Sequence, residues 1–265
     1  PDFKDLNLAL NIVAKCGGTP WVLPDELPDV DFFVGLSYTQ SLGKSNPKRL
    51  MGFANIFNSY GRWKFYHGNA QSFDYAERHR YYRDLVRVTM ERMDLSQTPS
   101  VHFHYSAKFS REDRAAILEA ATSVRPRGRY TFVWINTTHI VRLYDSQAQS
   151  DGSLARGAYV VTSRHQFFLS TTGYNLYRKA LGTPIPLEVN VWVEPKEAAS
   201  SSDLRIIAKQ LMYLTKLNWA STQSICAEPI TTKYAGDIAR LTSIFLERSG
   251  KFELHPDLEN TPWFI

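Results

Sequence analysis

Cysteine is nearly absent from this chain: of its 265 residues, only Cys16 and Cys226 carry a thiol. Neither has a Cys or His at metal-ligand spacing. That argues against a structural zinc site and a disulfide framework, and fits a reducing, cytoplasmic setting. Long hydrophobic runs are missing too. With no stretch of about 20 apolar residues, no membrane-spanning helix is expected, and no signal peptide opens the sequence. Internal repeats are absent, and no low-complexity tract is longer than Ala198 to Ser202. A more local shortage concerns acid: from Ser37 to Phe73 there is no Asp or Glu.

What is present is ordinary for a globular protein, with 43% hydrophobic and 22% charged residues. The length suffices to bury a substantial core. Aromatic residues make up 13% and are spread throughout, so most are expected inside. The net charge of +5 leans towards a polyanionic partner, because Lys and Arg release counterions when they neutralise phosphates. Ser, His and Asp all occur, but no nucleophile elbow brings them together. The chain opens on Pro with an amphipathic helix following almost at once, which suggests the C-terminal part of a longer protein.

The periodicities give a clear element order. A helix ends near Cys16, stopped by Gly17-Gly18, and Pro20 to Pro28 connects it onward. Strand-like runs follow at Asp31 to Tyr38, Leu50 to Phe57 and Arg62 to His67, the last two joined by the hairpin signal Asn58-Ser59-Tyr60-Gly61. A helical pattern runs from about Phe73 to Met93. Ser100 to Tyr105 alternates as a strand, Ser110-Arg111-Glu112-Asp113 starts a capped helix to about Ser123, and Tyr130 to Asn136 is a further strand. The second half adds a hairpin (Ala158 to Thr162 with Gln166 to Ser170), a strand at Leu187 to Val193, and two amphipathic helices around Leu204 to Leu214 and Tyr234 to Phe245. A three-strand antiparallel meander followed by helix, strand, helix, strand predicts an α/β, RNase H-like fold. Its central sheet is mixed and flanked by helices.

Two distant stretches carry chemistry. Asn11 and Lys15 share one helical face, a turn apart, just before the Gly-Gly stop. The sequence ends Thr261-Pro262-Trp263-Phe264-Ile265, apolar and aromatic, so it is expected to tuck inward and take its carboxylate with it. Beside Lys15, that carboxylate helps bind an anion or a metal; the plainer alternative is a surface Lys and a tail that plugs a core gap. The order and separation of the two stretches resemble the PIWI half of Argonaute proteins. Further likeness lies in Phe33-Val34-Gly35-Leu36, Val101-His102-Phe103-His104-Tyr105, Asn136 to Arg142, Gly182-Thr183-Pro184, Leu217-Asn218-Trp219, Pro229-Ile230-Thr231 and Tyr234-Ala235. The resemblance spans nearly the whole chain and is nearest in style to the short Argonautes of prokaryotes. It implies that residues 1–20 end a middle domain and residues 21–265 form a PIWI domain.

The resemblance also implies site residues. Asn11, Lys15 and the carboxylate of Ile265 would hold the 5′-phosphate of a short guide, with Mg²⁺ bridging phosphate and carboxylate, since that ion takes few protein oxygens. Cleaving relatives hold two metal ions on carboxylates. Here the corresponding positions are Ser37 and Ala107, so no catalytic residue is expected. Glu77, on an arginine-rich helix, is expected to form ordinary surface pairs. Lys48, Arg49, Arg127, Arg129 and Arg142 are candidate contacts to a nucleic-acid backbone, while His102 and His104, on one strand face, lack a third metal ligand nearby. The implied partners are a short guide RNA or DNA and a complementary target, DNA or RNA. A further implied partner is an effector with an Argonaute-associated PAZ-like segment carrying a TIR or SIR2 NADase or a nuclease, in defence against plasmids or phages. Two rivals stand beside this reading: an active nuclease using Asp31, Asp74 or Asp145, and a scaffold without a guide.

Overall fold

A computed structural model describes residues 3–40, 49–51, 54–68, 72–73, 75–147, 154–172, 184–194, 201–222, 226–249, 254–255, 258 and 260–265. The first helix, α1, spans Phe3–Lys15. Its end is a Schellman turn: the Gly18 amide donates to the Val13 carbonyl and the Gly17 amide to that of Ala14. Gly17 sits at φ +82°, a conformation in which a β-carbon is strained.

The elements that follow are β1 (Phe32–Leu36), β2 (Tyr38–Gln40), β3 (Arg49–Met51), β4 (Ala54–Asn58), β5 (Trp63–His67) and β6 (Ser72–Phe73). Then come α2 (Arg78–Arg92), β7 (Ser100–Tyr105), α3 (Arg111–Val124) and β8 (Arg129–Asn136). The second half holds β9 (Tyr159–Ser163), β10 (Gln166–Leu169), β11 (Leu187–Glu194), α4 (Ser201–Leu214) and α5 (Ile230–Ser249). Eight strands form one sheet in the order β5-β4-β1-β7-β8-β11-β10-β9. The first three are an antiparallel meander, β1-β7-β8 run parallel, and the rest are antiparallel. This is the mixed, RNase H-like sheet expected from the sequence. A small second sheet, β2-β3-β6, was not anticipated.

The helices cover the sheet from two sides. Val34, Leu36, Val101, Phe103, Tyr105 and Phe132 pack with Leu85, Val86 and Met90 of α2 and Ile117 and Ala121 of α3. Fully burying one such side chain stabilises by about 1.5–3 kcal/mol. On the other side Phe33, Phe57 and Trp63 meet Tyr234 and Ile238 of α5, together with Ala14 of α1 and Phe264 of the tail. Val133, Ile135 and Val191 meet Leu204, Ile207 and Leu211 of α4.

Two local devices fix the layers. The Ser110 hydroxyl accepts from the Asp113 amide at 3.0 Å, and Asp113 accepts from the Ser110 amide at 2.9 Å, a reciprocal cap. Asp113 also takes two Arg78 nitrogens, Nε at 2.8 Å and Nη2 at 3.0 Å, which ties the start of α3 to the start of α2. On the opposite face, Gly35 lets α5 come down onto β1, since a β-carbon there would overlap the Thr231 carbonyl oxygen.

Candidate functional site

Parallel pairing of β1 with β7 places Leu36 beside Tyr105, so the chain leaves both strands at the same edge. The next residues, Ser37 on one side and Ser106-Ala107 on the other, are brought close together. Ser37 is buried, Ser106 exposed and Ala107 half-buried. A serine hydroxyl offers neutral oxygen, without the negative charge that divalent ions demand. Among the described residues no group of three or more His, Cys, Asp or Glu is placed to hold a metal. Asp31 lies at the other end of β1, where its carboxylate accepts from the Ser100 amide at 2.8 Å. At about 3.3 Å per residue that is roughly 20 Å from Ser37. Asp145 caps its own loop through the Gln147 amide, and Asp74 lies outside the described residues. Glu77 pairs with Arg80 at 3.3 Å on open surface.

His102 and His104 point away from this edge into the layer beneath α4 and α5. His104 Nδ1 meets the Thr231 hydroxyl at 2.9 Å, and the Phe33 ring sits edge-on to both imidazoles. Burial, with the Arg129 charge adding to it, lowers the His102 pKa to about 3. Burial and then His102 itself push His104 well below its ordinary value. Both are neutral core residues at physiological pH.

Near Ala107 the structure assembles a cationic and aromatic surface that the sequence reading missed. The Lys108 ammonium stands 5.8 Å from the Trp134 ring centre, and the Arg114 guanidinium lies 4.4 Å over Trp192. Trp134 and Trp192 come from neighbouring strands β8 and β11, on the face that also carries Phe103 and Tyr105. Two half-buried tryptophans on strand faces were the available signal.

The second convergence lies at the end of α1. A cavity of about 230 Å³ is lined by Gly17 and Gly18, by Arg62 and Lys64 at the start of β5, and by Asn260 and Pro262 of the tail. Phe264 is buried in the same apolar cluster as Ala14, and Trp263 and Ile265 pack against it. The tail therefore tucks in beside the helix end. Lys15 is exposed, two residues before the glycine wall. Asn11 bonds to the Asn7 carbonyl one turn back, at 2.8 Å. Neither Lys15 nor Ile265 forms an ion pair among the described residues. Arg62 and Lys64 were not anticipated.

The remaining basic candidates divide. Lys48 lies outside the described residues, and of Arg49 only the backbone, in β3, is described. Arg127 is exposed. Arg129 is turned onto Asp203 of α4 at 3.1 Å, and Arg142 donates to the carbonyls of His139 and Val141 in its own loop.

Compared with known proteins, the chain matches no family model. It is 22% identical over 240 residues to the Argonaute protein of Aquifex aeolicus (strain VF5), covering 90% of this chain and 31% of that protein. It is 26% identical to the Argonaute protein of Cereibacter sphaeroides (strain ATCC 17025 / ATH 2.4.3), covering 89% of this chain and 33% of that one. The chain thus spans about a third of the length of the curated relatives it matches. Among solved structures, an Aquifex aeolicus Argonaute with externally bound siRNA superposes with a TM-score of 0.72 at 18% identity, covering 99% of this chain and 34% of the other. A second structure of that Argonaute gives 0.67 at 20% identity, over 91% of this chain and 33% of the other.

Proposed function

Given that the chain is Argonaute-like in sequence and in fold, a PIWI-like portion of such a protein, we propose that it anchors the 5′-phosphate of a short guide and recognises a complementary nucleic acid without cutting it. The observation that carries this reading is the cavity where the Gly17-Gly18 helix end, Arg62, Lys64 and the tail meet. Base pairing would supply sequence readout, and the protein would read backbone and guide end.

In this reading Lys15, Arg62 and Lys64 neutralise the phosphate and Asn11 adds a hydrogen bond, its amide shifting from the Asn7 carbonyl. The carboxylate of Ile265, on the tail that packs beside the helix end, would share a divalent cation with the phosphate. Mg²⁺ would supply charge neutralisation there, not chemistry. Residues 1–20 would belong to the preceding middle domain. The Lys108–Trp134 and Arg114–Trp192 surface would follow the duplex past Ser37 and Ala107, which lack the charge to hold catalytic metals. An effector partner with a PAZ-like segment, carrying a TIR or SIR2 NADase or a nuclease in prokaryotic defence, completes the proposal.

The test is guide binding with and without a 5′-phosphate, in Mg²⁺ and in EDTA. Lys15→Ala, removal of Trp263 to Ile265 and removal of the phosphate should each weaken binding. Lys15→Ala with a dephosphorylated guide should cost little more than either change alone, because both remove one contact. Fully additive losses, or full affinity after tail removal, would refute the anchor. Guided, metal-dependent cleavage that tracks with the chain would refute the inactive reading.

A further inference from the structure

The other end of the sheet carries a surface that guide binding does not use. Strand β9 is the last strand in the sheet order, and all five of its residues are exposed. It reads Tyr159-Val160-Val161-Thr162-Ser163, without charge or proline, and Val161 is 51% exposed. Edge strands of folded proteins are usually blunted by charge, proline or a covering element, because their free amides and carbonyls accept another strand. Nothing among the described residues pairs with the outer side of β9.

Alongside it runs a groove of about 300 Å³ between Tyr159 and one stripe of α4, with Arg205, Lys209, Met212, Tyr213 and Lys216 along its wall. Arg205 and Lys209, four residues apart, share one face of α4, and Lys216 follows in the turn just past its end, so all three cations line the groove. All three are exposed, and none forms an ion pair among the described residues. The combination of a bare strand edge with a parallel row of uncompensated cations has a specific complement. We infer that this surface docks an extended acidic segment of a partner protein, which adds to β9 as a further strand while its carboxylates meet Arg205, Lys209 and Lys216. Main-chain bonds to the edge give affinity, and alternate side chains give selectivity.

A nucleic-acid strand fits less well. Stacking of bases needs open aromatic faces, but the Tyr213 ring is taken by Lys209 at 5.9 Å and Lys216 at 5.0 Å. A phosphodiester also offers no donors to the strand carbonyls. The inference does not rest on guide anchoring, which uses the opposite edge of the sheet.

The experiment uses a fluorescein-labelled 12-residue peptide of alternating Glu and Val, its Lys-Val counterpart, and a 12-nucleotide single-stranded DNA of mixed sequence. Anisotropy reports binding, and amide hydrogen exchange reports protection of residues 159–163. The acidic peptide should bind, protect those amides, and lose at least tenfold in affinity to the triple variant R205E/K209E/K216E. That variant should instead take up the Lys-Val peptide, which shows that it is folded and that charge sets the choice. DNA binding should change less than twofold. The inference is overturned if β9 gains no protection, if acidic-peptide affinity survives the reversal, or if the reversal weakens DNA binding alone.

Discussion

Along β7 the side chains alternate between two environments that differ in kind. Val101, Phe103 and Tyr105 enter the layer of α2 and α3, where the Tyr105 hydroxyl is matched by that of Tyr82 at 2.6 Å. His102 and His104 enter the layer of α4 and α5, together with Asn55, Thr131, Gln210 and Thr231, all buried. In this second layer Asn55 Nδ2, His104 Nε2 and Thr131 Oγ1 have no hydrogen-bond partner among the described residues. An unmatched buried polar group costs about 1–3 kcal/mol. One face of the sheet is therefore held mainly by dispersion and burial, with the Arg78–Asp113 pair joining its two helix starts. The other includes buried imidazoles whose protonation matters, and it is the face against which α1 and the tail close the cavity lined by Gly17, Arg62 and Pro262.

The largest expected effect tests that difference directly. His102 has a folded-state pKa below its unfolded value of about 6.5, so between those values the unfolded chain takes a proton that the native chain refuses. Its contribution is complete above pH 6.5 and is lost as pH falls towards 3. At about 1.4 kcal/mol per unit the loss reaches about 5 kcal/mol over that span. His104 acts in the same direction. Arg129 adds to the shift of His102, while Gln210 and Asp203 oppose it. Urea unfolding at pH 7, 6 and 5 should show a steady decline, and His102→Gln should flatten it. A stability that does not change across that range would contradict the neutral, buried imidazoles.

Next in size is restoration of charge at the strand edge. Ser37→Asp puts a carboxylate into a buried position with no cation supplied, and should cost about 2–4 kcal/mol at neutral pH. Ala107→Asp, at a half-buried position, should cost less. If Mg²⁺ returns the lost stability of the double variant, a metal geometry survives at the ends of β1 and β7. If it does not, the supporting groups are gone as well.

The cavity at the helix end should respond more modestly. Arg62→Ala with Lys64→Ala should weaken binding of a 5′-phosphorylated oligonucleotide by about tenfold, or ~1.4 kcal/mol, and leave a 5′-hydroxyl oligonucleotide nearly unaffected. Equal losses for both would make the two residues general backbone contacts.

How far the sequence could be read follows the same physical division. Strand alternation, the Gly17-Gly18 stop and the Ser110 cap are local signals, and the elements they mark are present within a few residues, except that the single strand expected from Leu50 to Phe57 divides between β3 and β4, which pair in different sheets. The spacing from about Phe73 to Met93 predicts one helix, but Phe73 belongs to β6 and the helix starts at Arg78, after a short 3₁₀ turn. Tertiary pairing with β3 overrode the helical spacing there. Arg62 and Lys64 left no signal because their cavity joins segments about 45 and 200 residues apart, as shown by its lining of Gly17, Arg62 and Pro262. Alternation of polar and apolar residues put His102 and His104 on one face correctly. It could not say that the face is closed by Thr231 and Gln210, which turns two candidate ligands into neutral core.

The smallest effect separates Arg127 from Arg129, two residues that looked equivalent in the Arg125-Pro126-Arg127-Gly128-Arg129 loop. Arg127 is exposed and has no ion pair among the described residues, so it is available to a phosphate. Arg129 is engaged with Asp203, and its side chain is 32% exposed while that of Asp203 is 13%. Partial burial of this kind makes a pair worth more than an open surface one, though solvent still screens it, so the loss in Arg129→Ala is on the order of 1 kcal/mol of stability. Arg127→Ala should leave stability unchanged within about 0.5 kcal/mol. It should lower the slope of log affinity against log salt by about one unit for a duplex, because one counterion fewer is released. Arg129→Ala should leave that slope where it was. Measuring both quantities for both variants gives a crossed pattern that a general loss of folding cannot imitate. The reverse pattern would mean that the Asp203 pair opens when nucleic acid arrives and that Arg129 is the phosphate contact.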